Sequence, residues 1–272
     1  MRIRVADPHD PQLEHYRDLR DVEARARHEH SAGVFVVEGE RALRTVVDAG
    51  WGVESVLVLD TKADRLDDLL SASGAEVYVA GRDVIGAVAG FPVHRGVLAI
   101  GKRPAPLDAR SLAARVALAL VVEGVNDHEN LGALFRNAAA FGVGAVLMDP
   151  STCDPLYRRS VRVSVGNVLR VPFARLEPWP GSLDELSGEG YTIVALTPQG
   201  DTVLDDAAGM LAGSRGKVAL MVGSEGDGIS EAALESAAVR VRIPMAPGVD
   251  SLNVATAAAV ALSRIGPLAG PR

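Results

Sequence analysis

The alternation of apolar runs with helix-length segments in the second half of this chain limits its possible folds more than any other feature. Each run is a candidate strand, and there are five: Val116–Val122, Ala145–Met148, Thr192–Leu196, Val218–Val222 and Val239–Ile243. Strands that are apolar throughout are buried on both faces, and helices between them supply that cover. The pattern predicts an α/β domain with a parallel sheet over residues 116–272.

The preceding residues predict a smaller α/β domain over residues 1–103. A basic helix from Leu13 to His30 comes first, then a β-branched strand at Val34–Val37 and a helix from Arg41 to Ala49. Three more strands are expected, at Val56–Leu59, Ala75–Val79 and Gly96–Ile100. Two prolines in Lys102-Arg103-Pro104-Ala105-Pro106 indicate a linker over residues 104–115.

Composition restricts the class of protein. No apolar run approaches the roughly 18 residues of a membrane helix, and the first residues lack the apolar stretch of a secretory signal, so we expect a cytoplasmic protein without a membrane partner. Cys153 is the single cysteine and no Cys/His spacing suggests a metal site, so neither an internal disulfide nor a metal is expected. The net charge of -7 disfavours non-specific coating of nucleic acid but allows a local basic patch.

The first polar motif is Asn130-x-Gly132-x-x-x-Arg136, on a helix that should end at Phe141 before Gly142. Small apolar neighbours surround Arg136, so its guanidinium suits an anion such as a phosphate or a developing alkoxide. A surface arginine on a helix that Asn130 caps explains the same residues. The motif alone leaves both interpretations open.

Two further motifs also follow apolar runs. Gly223-Ser224-Glu225-Gly226 lacks the spacing of a dinucleotide fingerprint, and Glu225 suits either a ligand hydroxyl or a solvated turn. Ile243-Pro244-Met245 is followed by Ser251-Leu252-Asn253 at the start of an apolar helix. The polar groups of Ser251 and Asn253 would need partners at such a buried helix start, either in a ligand or, more simply, through capping of the helix by Ser251. Because ligands bind at the carboxyl ends of parallel strands, the three motifs predict one composite site.

Arginines are frequent after the first motif and in the N-terminal helix. They suit either an RNA backbone or a solvated helix face. We expect RNA contacts from five of them: Arg158, Arg159, Arg162, Arg20 and Arg25.

Together the three motifs resemble those of the SpoU/TrmH family of RNA 2′-O-ribose methyltransferases, in the SPOUT class. The resemblance covers Val116 to Ile265, and three ordered motifs in the correct strand context make it specific. Phe35-Val36-Val37-Glu38-Gly39, followed by a helix, resembles the ribosomal-protein-like RNA-binding domain that precedes the catalytic domain in many members.

The resemblance implies a trefoil-knotted catalytic domain that binds S-adenosylmethionine in a homodimer. It implies a catalytic Arg136, supported by Asn130, Glu225, Ser251 and Asn253. Arginine is too weakly acidic to be a ready base, so we favour phosphate positioning for Arg136. The implied cofactor-binding residues are Leu196, Thr197, Gly223, Ser224, Gly226, Ile243, Met245 and Leu252.

The expected function is S-adenosylmethionine-dependent 2′-O-methylation of a ribose in RNA, with ribosomal RNA favoured because of the extra N-terminal domain. A tRNA substrate and a non-catalytic RNA-binding or ribosome assembly factor are the alternatives. An NAD-dependent oxidoreductase would require a Gly-rich turn after the first strand, which Gly124-Val125-Asn126 does not supply.

Overall fold

The computed structural model describes residues 2–212 and 216–265 and divides into two compact units. The first unit comprises Met1–Ala105 and Leu156–Arg170, and the second comprises Pro106–Pro155 and Val171–Arg272. The predicted second domain extends to residue 272, so its residues 213–215 and 266–272 lie outside the described residues.

A five-stranded mixed sheet forms the centre of the first unit. The strands are β1 (Arg2–Arg4), β2 (Val34–Glu38), β3 (Val53–Leu59), β4 (Glu76–Ala80) and β5 (Val97–Lys102), in the spatial order β1-β4-β3-β5-β2. The β1, β4 and β3 strands are parallel, whereas β5 is antiparallel to both β3 and β2. A 3₁₀ helix at Pro11–Tyr16 precedes the helices α1 (Val22–Ser31), α2 (Glu40–Asp48), α3 (Asp60–Ala63), α4 (Asp67–Ala72) and α5 (Arg82–Ala89).

Fully apolar strand faces build the core of this unit. Leu57, Leu98 and Ile100 on the central strands are completely buried, and Leu13 and Tyr16 from the 3₁₀ helix pack into the same cluster. The Tyr16 hydroxyl is hydrogen-bonded to the Ser55 hydroxyl at 2.7 Å, which satisfies a polar group that burial would otherwise penalise.

The segment Leu156–Arg170 returns to the first unit from within the second half of the sequence. It contains helix α8 (Arg158–Val163) and a 3₁₀ helix at Asn167–Leu169. Arg158 donates to Glu38 at 2.7 Å and lies 4.6 Å from the centre of the Phe91 ring, so charge and aromatic contacts hold the segment in place. Val161 and Val168 are completely buried.

The second unit has a seven-stranded sheet in which every neighbouring pair is parallel. Its strands are β6 (Leu118–Val122), β7 (Ala145–Met148), β8 (Phe173–Arg175), β9 (Tyr191–Leu196), β10 (Thr202–Val203), β11 (Lys217–Val222) and β12 (Val239–Arg242), in the order β10-β12-β9-β11-β6-β7-β8. Its helices are α6 (Ala109–Ala114), α7 (His128–Ala140), α9 (Ser182–Gly188), α10 (Leu204–Ala212), α11 (Glu231–Glu235) and α12 (Val254–Ile265).

This sheet confirms the predicted parallel α/β fold of the second half. The central strands are apolar throughout and are covered on both faces, so every residue of β6 and β7 is buried. The expected linker over residues 104–115 is wrong in part, because Ala109–Ala114 form α6, which Asp108 caps through the backbone N–H of Ser111. Within the described residues, no helix combines the length and apolar character needed to cross a membrane.

Candidate active site

A cavity of about 730 Å³ opens at the carboxyl ends of the central strands of the second unit. Strands β9, β11 and β12 end at Leu196, Val222 and Arg242, so the loops that follow them form its walls. Its volume lies in the usual range of small-molecule sites, and its lining is mixed apolar and polar.

All eight residues expected to bind the cofactor line this cavity. Leu196, Ile243, Met245 and Leu252 provide apolar side chains, and Thr197 provides a hydroxyl that is 2.8 Å from the Gln199 side-chain oxygen. Gly223, Ser224 and Gly226 belong to the loop after β11 and line it as well. The structure therefore gathers residues from all three strand ends around one cavity.

Close backbone packing explains the glycine at position 223. A Cβ atom built there would lie 2.1 Å from the carbonyl carbon and oxygen of Gly228, because Ser224 and Gly228 pair as an antiparallel bridge. No side chain fits at that distance. The tight loop that results carries Glu225 at its tip beside the cavity.

Asn253 joins the three motifs through one side-chain amide. Its Nδ2 donates to Asn130 Oδ1 and to Glu225 Oε1, each at 2.7 Å. Its Oδ1 accepts from the backbone N–H groups of Ala255 and Thr256 at 3.0 and 3.2 Å, and so caps α12. The composite site predicted from the sequence is thus formed by direct contact between Asn130, Glu225 and Asn253.

The residues that cap the two site helices are not the ones that the sequence suggested as caps. Asp127 caps α7 by accepting from the backbone N–H groups of Glu129 and Asn130 at 2.7 and 2.9 Å, so Asn130 is not the cap. Ser251 is exposed and lines the cavity, while Asn253 caps α12. The polar side chain of Asn130 is therefore available for the contact with Asn253.

Arg136 lies on α7 but outside this hydrogen-bonded group. Asn130 and Asn137 are seven residues apart and share one helix face, and Asn137 Nδ2 donates to the Ala255 carbonyl of α12 at 2.7 Å. Consecutive residues of an α-helix are about 100° apart around its axis, so Arg136 projects from a different face than Asn137, and it is exposed. Among the residues that the structure describes, none forms a side-chain hydrogen bond or ion pair with Arg136, so its guanidinium remains available to an anion.

Two of the five arginines expected at RNA have structural roles instead. Arg25 is only 4% exposed and donates to the buried carboxylate of Glu29 at 3.1 Å, so the prediction of an RNA contact is wrong for Arg25. The Arg158 side chain is 17% exposed and paired with Glu38, which corrects that prediction too. Buried cations need such partners. Arg20 and Arg159 are exposed, and Arg162 is partly exposed.

Sequence reasoning missed two carboxylates that follow β6 and β7. Glu123 accepts from Trp179 Nε1 at 2.8 Å, from the Ser230 backbone at 2.9 Å and from the Ser230 hydroxyl at 2.7 Å. Asp149 accepts from the backbone of Gly124 and from Ser151 and Thr152. Their position as the first acidic residue after an apolar run was the signal that could have revealed them.

These hydrogen bonds determine the ionisation of Asp149. Burial alone would raise the pKa of this carboxyl, but the bonds from Ser151, Thr152 and Gly124 outweigh it and hold the pKa below its ordinary value. Asp149 is therefore ionised at neutral pH and fixes the loop after β6. By contrast, burial raises the pKa of the Cys153 thiol to about 12, so the thiol is protonated at neutral pH.

Comparison with known proteins relates this site to a family. A sequence model described as the SpoU rRNA Methylase family matches residues 117–263, which is more than half of the chain. A protein of Mycobacterium tuberculosis named an uncharacterized tRNA/rRNA methyltransferase is 43% identical over 258 residues, which covers 94% of this chain and 89% of its own length.

Solved structures share the fold over nearly the whole length of the chain. One described as an RNA 2′-O ribose methyltransferase has a TM-score of 0.78 and 28% identity, and the similarity covers 98% of this chain and 99% of that one. The AdoMet-bound rRNA methyltransferase from Sinorhizobium meliloti has a TM-score of 0.81 over 97% of both chains at 22% identity, which supports the fold alone. The family match and the mycobacterial relative establish that this chain belongs to the SpoU rRNA methylase family of RNA methyltransferases.

Proposed function

We propose that this protein transfers a methyl group from S-adenosylmethionine to a ribose 2′-hydroxyl of RNA. The observation that supports it most strongly is the contact of Asn253 with both Asn130 and Glu225, which unites the three motifs beside the cavity. Membership of the SpoU family supports RNA as the substrate. Similarity to the structure described as an RNA 2′-O ribose methyltransferase supports the ribose oxygen as the methyl acceptor.

The residues around the cavity fit the proposed cofactor. Apolar side chains from Leu196, Ile243 and Leu252 suit the faces of an adenine ring, while backbone groups near Gly223 and the Thr197 hydroxyl suit its polar substituents. When bound, S-adenosylmethionine supplies a methyl group whose bond to sulfur breaks as its bond to the 2′-oxygen forms, leaving S-adenosylhomocysteine and releasing the hydroxyl proton. We assign cofactor binding to the eight cavity residues that were expected from the sequence to bind the cofactor.

The polar group at the site orients the ribose. Asn253 uses only Oε1 of Glu225, and within the described part of the chain no protein donor contacts Oε2, so Oε2 can accept from a ribose hydroxyl. Asn130 keeps its own Nδ2 donors, because its contact with Asn253 uses Oδ1. Methyl transfer to oxygen needs aligned reactants, and these fixed side chains supply alignment. Ser251 is assigned the same supporting role.

Arg136 holds the substrate phosphate. Its guanidinium is exposed and has no protein partner among the described residues, and its paired donors match phosphate oxygens. Proton acceptance by Arg136 would demand a far lower pKa than arginine ordinarily has, so positioning of the phosphate is the role we assign.

The same proposal covers the substrate and the assembly. Ribosomal RNA is the favoured substrate, contacted by Arg20, Arg159 and Arg162, and the first unit acts as the ribosomal-protein-like binding domain.

We also propose the trefoil knot, the homodimer and the cytoplasmic location that are expected from the sequence. Exposed apolar side chains at Met210 on α10 and Val260 on α12 support an interface between two copies. Sedimentation equilibrium tests the dimer by its mass.

The decisive experiment is transfer of labelled methyl to total RNA from cells that lack this protein, followed by digestion to nucleosides. We expect label on a ribose 2′-oxygen in the large RNAs. Label in tRNA would replace the substrate and keep the reaction. Label on a base would contradict the proposed reaction, and absence of label despite cofactor binding would favour the non-catalytic RNA-binding factor.

Replacement of Arg136 tests its assigned role in the same assay. Arg136→Ala should reduce methyl transfer by roughly a hundredfold or more, because loss of one preorganised charge contact costs that much in comparable sites. Binding of S-adenosylhomocysteine, measured by calorimetry, should be unchanged. Arg115→Ala is the matched control, since Arg115 is exposed and lies just before β6, at the end of the strand opposite to the cavity. Equal loss of binding and transfer in Arg136→Ala would contradict the assignment.

A further inference from the structure

We infer that a second cavity, beside Trp179, binds a base of the RNA substrate. The inference rests on the proposed function and adds a specificity-determining subsite to it. The cavity has a volume of about 610 Å³ and opens at the carboxyl ends of β6, β7 and β11. Its lining includes Asn126, Trp179, Ser224 and Asp227.

Trp179 is held as a fixed platform in this cavity. Its Nε1 donates to Glu123 Oε1 at 2.8 Å, and both oxygens of Glu123 also accept from Ser230. Glu123 is only 8% exposed, so this contact is shielded and sets the orientation of the indole ring. The ring packs partly on the core and remains partly exposed in the cavity. An unstacked RNA base binds such an aromatic face by stacking.

The polar groups of the cavity divide into two kinds. Glu123 and Asp149 are saturated by protein donors, as described for the active site. In contrast, the side chains of Asn126, Ser224 and Asp227 form no hydrogen bond or ion pair with any described residue, and Asn126 and Asp227 are exposed. Unpaired donors and acceptors around an aromatic face match the polar edge of a base.

The charge of the cavity selects a base edge rather than a phosphate. Glu123, Asp149 and Asp227 all contribute carboxylates to its lining, and these would repel the RNA backbone. A base edge with N–H donors is attracted instead. Guanine is the best match to Asp227, because its N1–H and N2–H groups are adjacent and can donate to both carboxylate oxygens.

Continuity with the active site places this base close to the methylated ribose. Ser224, Asp227 and Gly228 line both cavities, so the loop after β11 is their common wall. A Cβ atom built at Gly124, in the loop after β6, would lie 3.6 Å from the Ser224 Cβ, so the two strand-end loops are in close contact there. The occupant is therefore the base of the target nucleotide or of its neighbour.

Steady-state methylation of total RNA separates stacking from a structural role of Trp179. Trp179→Ala should raise the KM for RNA roughly tenfold or more, because it removes a stacking partner. Trp179→Phe keeps an aromatic face but loses the hydrogen bond to Glu123 that orients it, so its KM for RNA should rise by a smaller factor than that of Trp179→Ala. Equal losses in both variants would overturn the stacking role. Calorimetry should give unchanged affinity for S-adenosylhomocysteine in both.

Asp227→Asn tests recognition of the base edge. Its amide offers one acceptor oxygen in place of two, so the KM for RNA should rise severalfold. The KM should rise by a larger factor than the Kd for S-adenosylhomocysteine, which is the control because Asp227 also lines the first cavity. Asp206→Asn on α10 is the matched control, since Asp206 is also exposed but lies away from both cavities. An unchanged KM in Asp227→Asn would overturn the role of Asp227.

Fluorescence tests the subsite without relying on methylation. The chain has two tryptophans, so Trp51→Phe leaves Trp179 as the single reporter. Titration with guanosine, which carries no phosphate, should give saturable quenching, with weaker affinity for uridine, and Asp227→Asn should reduce that preference. No saturable change with either nucleoside would overturn the subsite even if the enzyme methylates RNA. Saturable quenching in a protein that methylates no RNA would contradict the proposed function and keep the subsite.

Discussion

The side-chain amide of Asn253 has a separate structural role at each end. Its oxygen caps α12, and its nitrogen contacts Asn130 and Glu225. Asn253→Ser should keep a cap, because serine is an equally good N-cap residue, but lose the contacts of the amide nitrogen. We therefore expect a melting temperature near that of the wild type together with a large loss of methyl transfer.

Asn253→Ala is the matched comparison, because it removes both roles. Loss of the cap should lower the free energy of unfolding by about 1 kcal/mol relative to Asn253→Ser. Chemical denaturation measures this difference, and the methyl-transfer assay measures activity. Full activity in Asn253→Ser would show that the cap alone accounts for this residue.

The meeting of the three motifs beside one cavity was predictable, whereas their hydrogen-bond partners were not. The order of the motifs identified Asn130, Glu225 and Asn253, and the family they indicated is confirmed by the match of residues 117–263. The choice of Asp127 over Asn130 as a cap depends on backbone angles at the helix start, which sequence spacing does not specify. Buried Arg25 was misread because its partner, Glu29, becomes buried only through tertiary packing.

At the scale of elements, a histidine pair joins the first 3₁₀ helix to α1. His15 Nδ1 lies 2.8 Å from His28 Nε2, so one ring nitrogen carries a hydrogen and donates a hydrogen bond that the other, unprotonated nitrogen accepts. Burial lowers the pKa of His28 below the ordinary value of about 6.5, and the charges of Arg25 and His15 lower it further, while Glu14 opposes them. The folded state therefore binds fewer protons at this site than the unfolded state.

This contact should make stability depend on pH. Its contribution is present above about pH 6.5 and is lost as the pH falls through that value, because the unfolded state then gains a proton that the folded state resists. Urea unfolding at about pH 7.5 and about pH 5.5 measures the loss. His28→Gln should show a smaller loss than the wild type. His30→Gln, at an exposed site on the same helix, should behave like the wild type, and identical losses in all three proteins would contradict the mechanism.

The strands that the sequence missed have a common position. β1, β8 and β10 contain two or three residues each, and each is at an edge of its sheet. An edge strand pairs on one side and needs no long apolar run, so its sequence carries little signal. The predicted helix from Leu13 to His30 was wrong over its middle, because Asp18 adopts a φ of 50° that interrupts the helix.

At the scale of the whole molecule, the chain alternates between two units more often than the sequence indicated. The prediction assigned everything from residue 116 onward to one domain, but Leu156–Arg170 belongs to the first unit. Helical periodicity gave no sign of this, because a short amphipathic helix packs equally well on either unit. The segment is nevertheless well held, since Val161, Val168 and Leu169 are buried and Gly166 lies against Thr45.

This arrangement predicts the behaviour of a fragment comprising residues 106–272. Without the first unit, Arg158 loses Glu38, and the apolar side chains of Val161 and Val168 lose their cover, which costs about 1.5–3 kcal/mol for each apolar side chain exposed. The fragment should melt at a lower temperature than the full chain by circular dichroism and should bind a hydrophobic dye. Replacing residues 156–170 by a Gly/Ser linker of equal length should abolish the dye binding, because the exposed apolar surface is then gone. A fragment that binds no dye and melts with the full chain would mean that this segment packs equally well without the first unit.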